Sequence, residues 1–291
     1  MTTEALPTED GVDDLALPDL SLMSRRLFLR PIVPRDHPFL YQLAMAPTEA
    51  YHWRFRGRQP SFDDFVRSLY SDVFVQYLIV RRHDGKPLGL VVCYRADHRN
   101  RHAHIALQGV PRLQGTGVLI EAGHLFVDFL FRCYEFEKLY AECPGFNMVR
   151  FTSALGGLLV EEGRLRDHER MFGRSWDLHM LALYRRTWEQ RPPSMEERVA
   201  RRLAELQVDG GTGNLTIEEF CALIAREFDL GPEEVRPESR LADELGFDSV
   251  QMYELLCILE ELGSYVEEST FASVVTVDDT YFRYVQHKNR N

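Results

Sequence analysis

No stretch of this 291-residue chain stays apolar over the roughly 20 residues needed to cross a bilayer, so a membrane-spanning role is not expected. The chain is poor in cysteine. Cys93, Cys133, Cys143, Cys221 and Cys257 show no CxxC spacing and sit inside apolar patterns, which leaves neither a metal site nor a disulfide framework in view and suits a reducing cytoplasm. The opening is poor in positive charge: Met1 to Asp19 holds six acids and no lysine or arginine, the reverse of a signal peptide. Residues 1–21 therefore read as a disordered lead-in. There is no internal repeat and no low-complexity tract. Nor is there a basic excess, since 34 Lys and Arg stand against 45 Asp and Glu, a net charge of −11; nucleic acid is not an expected partner.

The charge that is present is unevenly placed. Residues 214–291 hold 17 acids and 6 bases, whereas residues 21–213 hold 28 bases and 22 acids. A mildly basic front half and a strongly acidic rear half favour docking with each other or with other basic partners. Between them, 191–213 reads as a linker: Arg191-Pro192-Pro193 breaks structure, Ser194 to Leu206 forms a short charged helix, and Gly210-Gly211-Thr212-Gly213 is flexible.

Residues 214–291 show three helical patterns. Thr216 to Phe228 places Phe220, Leu223, Ile224 and Phe228 on one face. Asp248 and Ser249 open a second helix through Val250, Met252, Tyr253, Leu255, Leu256 and Leu259, and Thr276-Val277-Asp278-Asp279 caps a third through Val285. A serine at a helix start is ordinarily only a cap. Here it lies in Leu245-Gly246-Phe247-Asp248-Ser249-Val250, just after Leu241-Ala242-Asp243-Glu244-Leu245, and the whole segment resembles an acyl or peptidyl carrier protein. The resemblance implies a small all-α bundle whose Ser249 is esterified with 4′-phosphopantetheine by a phosphopantetheinyl transferase. The arm's thiol then carries an acyl thioester. Phe247 stands where many carriers have a smaller or polar residue.

Residues 22–190 alternate strands and helices, the pattern of an α/β domain. Strands are expected at Leu27–Arg30, Val75–Arg81, Leu88–Arg95, His104–Val110, Lys138–Cys143 and Leu178–Tyr184. Helices are expected at Pro38–Ala46, Ser61–Tyr70, from Gly117 through Cys133, and at Asn147–Leu155. The run Arg112-Leu113-Gln114-Gly115-Thr116-Gly117 follows a strand and opens the long helix. Glycines there let backbone N–H groups approach a pyrophosphate, whose charge the helix N-terminus favours, although a plain tight turn has the same appearance.

With its neighbours, this run resembles the Arg-x-x-Gly-x-Gly/Ala loop of the GNAT acyltransferase superfamily, matched by Arg112, Gly115 and Gly117. The closest likeness is to the branch that acetylates ribosomal-protein N-termini, through Asn147, Glu161-Glu162-Gly163-Arg164-Leu165-Arg166, Gly173-Arg174-Ser175-Trp176-Asp177 and Trp188. The resemblance implies a GNAT fold, a central mixed sheet flanked by helices, binding acyl-CoA through residues 112–117 and Asn147. Three departures bear on chemistry. Ala154 occupies the position of the tyrosine that protonates the leaving thiolate in many members, Arg150 replaces the branch's usual serine, and Leu158-Leu159 replaces its Gly-Phe. His104 stands where the branch commonly has a glutamate, and a histidine there can take the proton of an attacking amine; a surface or structural histidine is the plainer alternative. Cys143 reads as a structural cysteine rather than a nucleophile, and Glu121 as a helix-start acid rather than a base. His52, Trp53, Arg54 and Arg56 fall in the segment lining the acceptor side of the superfamily.

Together the two halves imply an acyltransferase with its own carrier, acting in assembly-line biosynthesis of polyketide or nonribosomal peptide type beside other enzymes that dock the carrier. The leading expectation is N-acylation of a small amine from CoA or the tethered arm. S-acyl loading of the carrier thiol, with or without decarboxylation, and a catalytically degenerate docking module are the alternatives.

Overall fold

The computed structural model describes residues 22–24, 26–46, 55, 57–113, 116–171, 173–191, 215–264 and 273–288. The expected lead-in 1–21, the spacer helix Ser194–Leu206, the Gly210–Gly213 stretch, and His52, Trp53, Arg54, Arg56, Gln114 and Gly115 lie outside the described residues.

Seven strands form one sheet: β1 Leu27–Arg30, β2 Val73–Arg81, β3 Pro87–Asp97, β4 His102–Gly109, β5 Lys138–Pro144, β6 Val160–Met171 and β7 Arg174–Tyr184, in the order β1-β2-β3-β4-β5-β7-β6. The helices are α1 His37–Met45, α2 Phe62–Leu69, α3 Val118–Cys133, α4 Arg185–Glu189, α5 Ile217–Glu227, α6 Ser249–Glu261 and α7 Val277–Lys288. The turn at Asp84-Gly85-Lys86 closes the β2–β3 hairpin; Gly85 takes φ +69° and Arg81 pairs with Asp84 at 2.6 Å. Neighbouring strands are antiparallel except β4 and β5. A parallel pair needs a crossover, and α3 supplies it.

Local chemistry sets the helix starts. Ser61 caps α2 by accepting from Asp64 N, and Thr216 with Glu219 forms a reciprocal box at the head of α5. Asp248 with Gln251 does the same for α6, and Thr276 with Asp279 for α7. One element was not expected and one expectation needs correction. The run from Glu161 to Arg166 belongs to a twelve-residue strand, β6, that the sequence pattern does not reveal. It is an edge strand, almost wholly solvent-facing, so it carries charge where an inner strand would alternate. The expected helix at Asn147–Leu155 is instead a succession of 3₁₀ turns over Gly145–Ala154. One reason is visible: the Ser153 amide, which an α-helix would bond four residues back, donates to Asp248 of the rear half at 2.7 Å.

The sheet has two covered faces. Under α1 and α2, Leu40, Phe65, Leu78, Val80 and Leu90 form a compact cluster. On the other face, Ile79, Val91, Phe126 and Leu130 belong to a larger core that runs on without interruption into Phe220, Leu255, Leu256, Ile258 and Tyr284 of the helical half. The two halves thus share one apolar interior, and α6 is the element that joins them.

Candidate active site

β4 and β5 pair only at His102–Lys138, Ala103–Leu139 and His104–Tyr140. Beyond His104, β4 continues to Gly109 and β5 to Pro144, so their carboxyl ends part and frame a wedge. Openings at the carboxyl ends of parallel strands are where α/β sheets receive ligands. Two segments border its mouth: the loop after β4, which leads into α3, and the 3₁₀ segment after β5.

The first border is the glycine loop. Arg112 is exposed in a 3₁₀ turn over Pro111–Leu113, whereas Leu113 is buried and belongs to the core. Thr116 is also buried, its Oγ1 donating to Leu113 O at 2.8 Å. Gly117 has φ +77° at the N-cap of α3, a left-handed conformation that favours glycine. Its surface is covered: a Cβ there would lie 2.3 Å from Tyr253 N. The second border carries Asn147, half-buried, and Ser153. Asp248 accepts from Ser153 N at 2.7 Å and from Ser153 Oγ at 2.9 Å, while also capping Val250 N and Gln251 N of its own helix. Ser249 follows Asp248 directly, opens α6 and is only partly buried.

Behind the mouth, the seat of α6 is buried and charged. Arg26 is fully enclosed; its Nε donates to Glu121 at 2.8 Å and its Nη1 lies 3.4 Å from Glu260 of α6. Burial by itself lowers the Arg26 pKa, but Glu121 and then Glu260 outweigh it and the guanidinium is held protonated above its ordinary value. Glu121, expected as a helix-start acid, is therefore part of a buried charge cluster between the halves. His124 meets Trp188 and Tyr253 edge-on, each at 5.2 Å between ring centroids, and burial pushes its pKa down to about 4.

The opposite face of the sheet carries His104. His104 sits at the last paired position of the wedge, its ring between Tyr94 at 5.5 Å and Tyr140 at 5.3 Å. Its Nδ1 is buried without a hydrogen-bond partner among the described residues and lies 3.8 Å from Glu142 Oε1. Burial lowers the His104 pKa, against the raising influence of Glu142, so the imidazole is neutral and able to accept a proton at neutral pH. Tyr94, Ala106 and Glu142 open onto a cavity of about 510 Å³, with Asp72, Arg58, Arg170 and Phe146 also on its wall. The Cys143 thiol donates to Pro144 O at 3.6 Å, and burial pushes its pKa up to about 12, which withholds the thiolate a nucleophile requires.

The sequence reading named His104, Ser249 and residues 112–117; His104 lies at the last paired position of β4 and β5, Gly117 heads α3 and Ser249 opens α6. That reading missed Ser153, Arg26, Tyr253 and the second task of Asp248. One signal was available: residues 252–259 of α6 are apolar on nearly all sides, the mark of a helix buried all round. Among the described residues no cluster fit to hold a metal ion occurs, and no helix is long and apolar enough to cross a membrane.

Residues 26–148 match the acetyltransferase (GNAT) domain family, and residues 218–281 match the phosphopantetheine attachment site family. Among solved structures, spermidine N-acetyltransferase from Vibrio cholerae in complex with CoA and spermine is 19% identical, with 56% of this chain and 98% of that chain covered, at a TM-score of 0.49. A probable acetyltransferase of the GNAT family from Chromobacterium violaceum is 18% identical, with 65% and 98% covered, at a TM-score of 0.48. No curated protein matches the chain.

Proposed function

We propose that this chain, a GNAT acetyltransferase domain followed by a phosphopantetheine carrier domain, N-acylates a small amine held on the His104 side of the wedge. The observation that carries the reading is the placing of a neutral, unpaired imidazole at the point where β4 and β5 part, beside Glu142 and a cavity open to solvent. A thioester supplies an activated carbonyl; the chain supplies position and a proton acceptor. The amine nitrogen bonds to the acyl carbon, the carbon–sulfur bond breaks, the amine proton passes to His104 directly or through water, and the thiolate takes up a proton. No acid side chain serves that last proton at Ala154. Glu142, close to His104, favours the imidazolium once it forms. Backbone donors in the wedge are the candidates for the oxyanion. The carrier and transferase in one chain suit assembly-line biosynthesis with a polyketide or nonribosomal peptide intermediate.

The substituted Ala154 and Arg150 positions keep S-acyl loading of the arm as a second reading, because no amine base is then required. Intact mass separates the two. After phosphopantetheinylation, acyl-CoA without amine should leave the arm unchanged under the first reading and add an acyl group under the second; Ser249→Ala must abolish any such gain. A panel of amines should then be acylated by the wild-type chain. No transfer to any amine and no gain on the arm would leave only a docking module.

A further inference from the structure

We infer that the carrier's own arm, rather than free CoA, is the resident acyl donor: α6 seats the carrier across the mouth of the wedge, and the seated carrier and CoA exclude each other. The fate of the acyl group rests on the transfer reading above; the exclusion does not.

Three observations carry this. First, α6 touches both borders of the mouth, Gly117 through Tyr253 and Ser153 through Asp248. Ser249 is the first residue of α6 and lies between these two contacts in sequence, so an arm esterified to it would start from the helix end that borders the mouth. Second, the pyrophosphate of CoA needs the open N-terminus of α3, yet Gly117 is buried there against the backbone of α6. The glycine that allows a close approach is used by the carrier. Third, the seat is built rather than casual. Tyr253, Cys257 and Glu260 recur at i, i+4 and i+7, one stripe of the helix. Tyr253 packs on His124, and Glu260 meets Arg26 with both side chains enclosed. A carrier released from this seat leaves Arg26 paired with Glu121 and gives up the Glu260 contact together with the apolar packing of α6. CoA therefore binds only in the fraction of molecules whose carrier has left, and its apparent affinity falls by that fraction.

The test is binding to the full apo chain, followed by calorimetry and by the imidazole resonance of His124. CoA should bind weakly or not at all, and any CoA that binds should move His124 toward a solvent-exposed signal. CoA bound with His124 still in its buried state overturns the exclusion. Glu260→Arg, which sets like charge against Arg26 at the far end of the seat, should raise CoA affinity by about tenfold or more; an unchanged affinity in a folded variant also overturns it, and if the variant does not fold the wild-type titration still decides. With the arm acylated and an amine present, single-turnover transfer should proceed at a rate independent of chain concentration, whereas a rate proportional to concentration overturns delivery within one chain. If no amine is acylated, the transfer reading fails while the CoA titration still judges the exclusion.

Discussion

The two ends of the wedge are built on opposite terms. The end proposed for the donor is dry: Gly117, Leu113 and Thr116 are buried, the helix that covers them is apolar over most of its surface, and Asp248 pairs there with Ser153 and Glu260 with Arg26. The acceptor end is open and lined by both signs of charge, with Arg58, Arg170, Asp72 and Glu142 on one cavity wall. A closed donor end suits a partner that is always the same, such as a tethered arm. An open, mixed acceptor end suits a small ligand that must come and go. The proposed transfer thus puts substrate choice on the His104 face, while α6 joins the two halves into one apolar interior.

The sharpest way to break this comparison is at the acceptor end. His104→Ala should lower kcat/KM for amine acylation by about 10²–10⁴ with little change in the denaturation midpoint. The pH profile adds a second readout, since the wild-type rate should climb with pH through a value below 6.5, the side to which burial moves this imidazole. An unaltered rate removes His104 from the chemistry. At the donor end the largest effect should be on stability: Arg26→Ala leaves Glu121 and Glu260 enclosed without their cation, a loss of about 3–5 kcal/mol by urea titration. A change below about 1 kcal/mol would show that the pair is not buried in solution.

The pH dependence of stability separates the ends further. His124 is held neutral with its pKa at about 4, below its ordinary 6.5, in a setting that includes Arg191 and Asp128. Because the folded value is depressed, this contribution is complete above about pH 6.5 and is lost as pH falls toward 4, by at most about 3 kcal/mol. The melting midpoint should drop over that window, and His124→Gln should flatten the drop; an identical slope in the variant would place the titration elsewhere. The smallest effect belongs to the cap: Asp248→Ala removes the α6 box and the Ser153 contact together, for about 1–2 kcal/mol. Asp248→Asn, which keeps the cap oxygen, should recover most of it, and equal losses in both would mean that charge rather than capping holds the joint.

Much of this was legible because it is local. The Asp248–Ser249 start, the Thr216–Glu219 and Thr276–Asp279 boxes, the Asp84-Gly85-Lys86 turn and the Gly117 start of α3 each follow from the chemistry of three or four adjacent residues. β6 escaped because an exposed edge strand has no buried face to impose alternation, and the 3₁₀ turns at 145–154 escaped because Ser153 N bonds to a residue 95 positions away. The uneven charge pointed to docking between acidic and basic surfaces. The contact between the halves adds to that charge pattern an apolar helix, with Glu260 of the acidic half meeting Arg26 of the basic half.

By itself, then, the sequence determined an α/β half followed by a small helical half, because caps, turns and periodicity act over a few residues, and its motifs carried the resemblance to a GNAT domain and a carrier. Only the tertiary structure decided that Tyr253 covers Gly117, that Glu260 reaches Arg26 and that Asp248 meets Ser153. A helix apolar on every side announces that it will be buried. It does not say against what, and that choice is made by the shape and charge of the surface it meets.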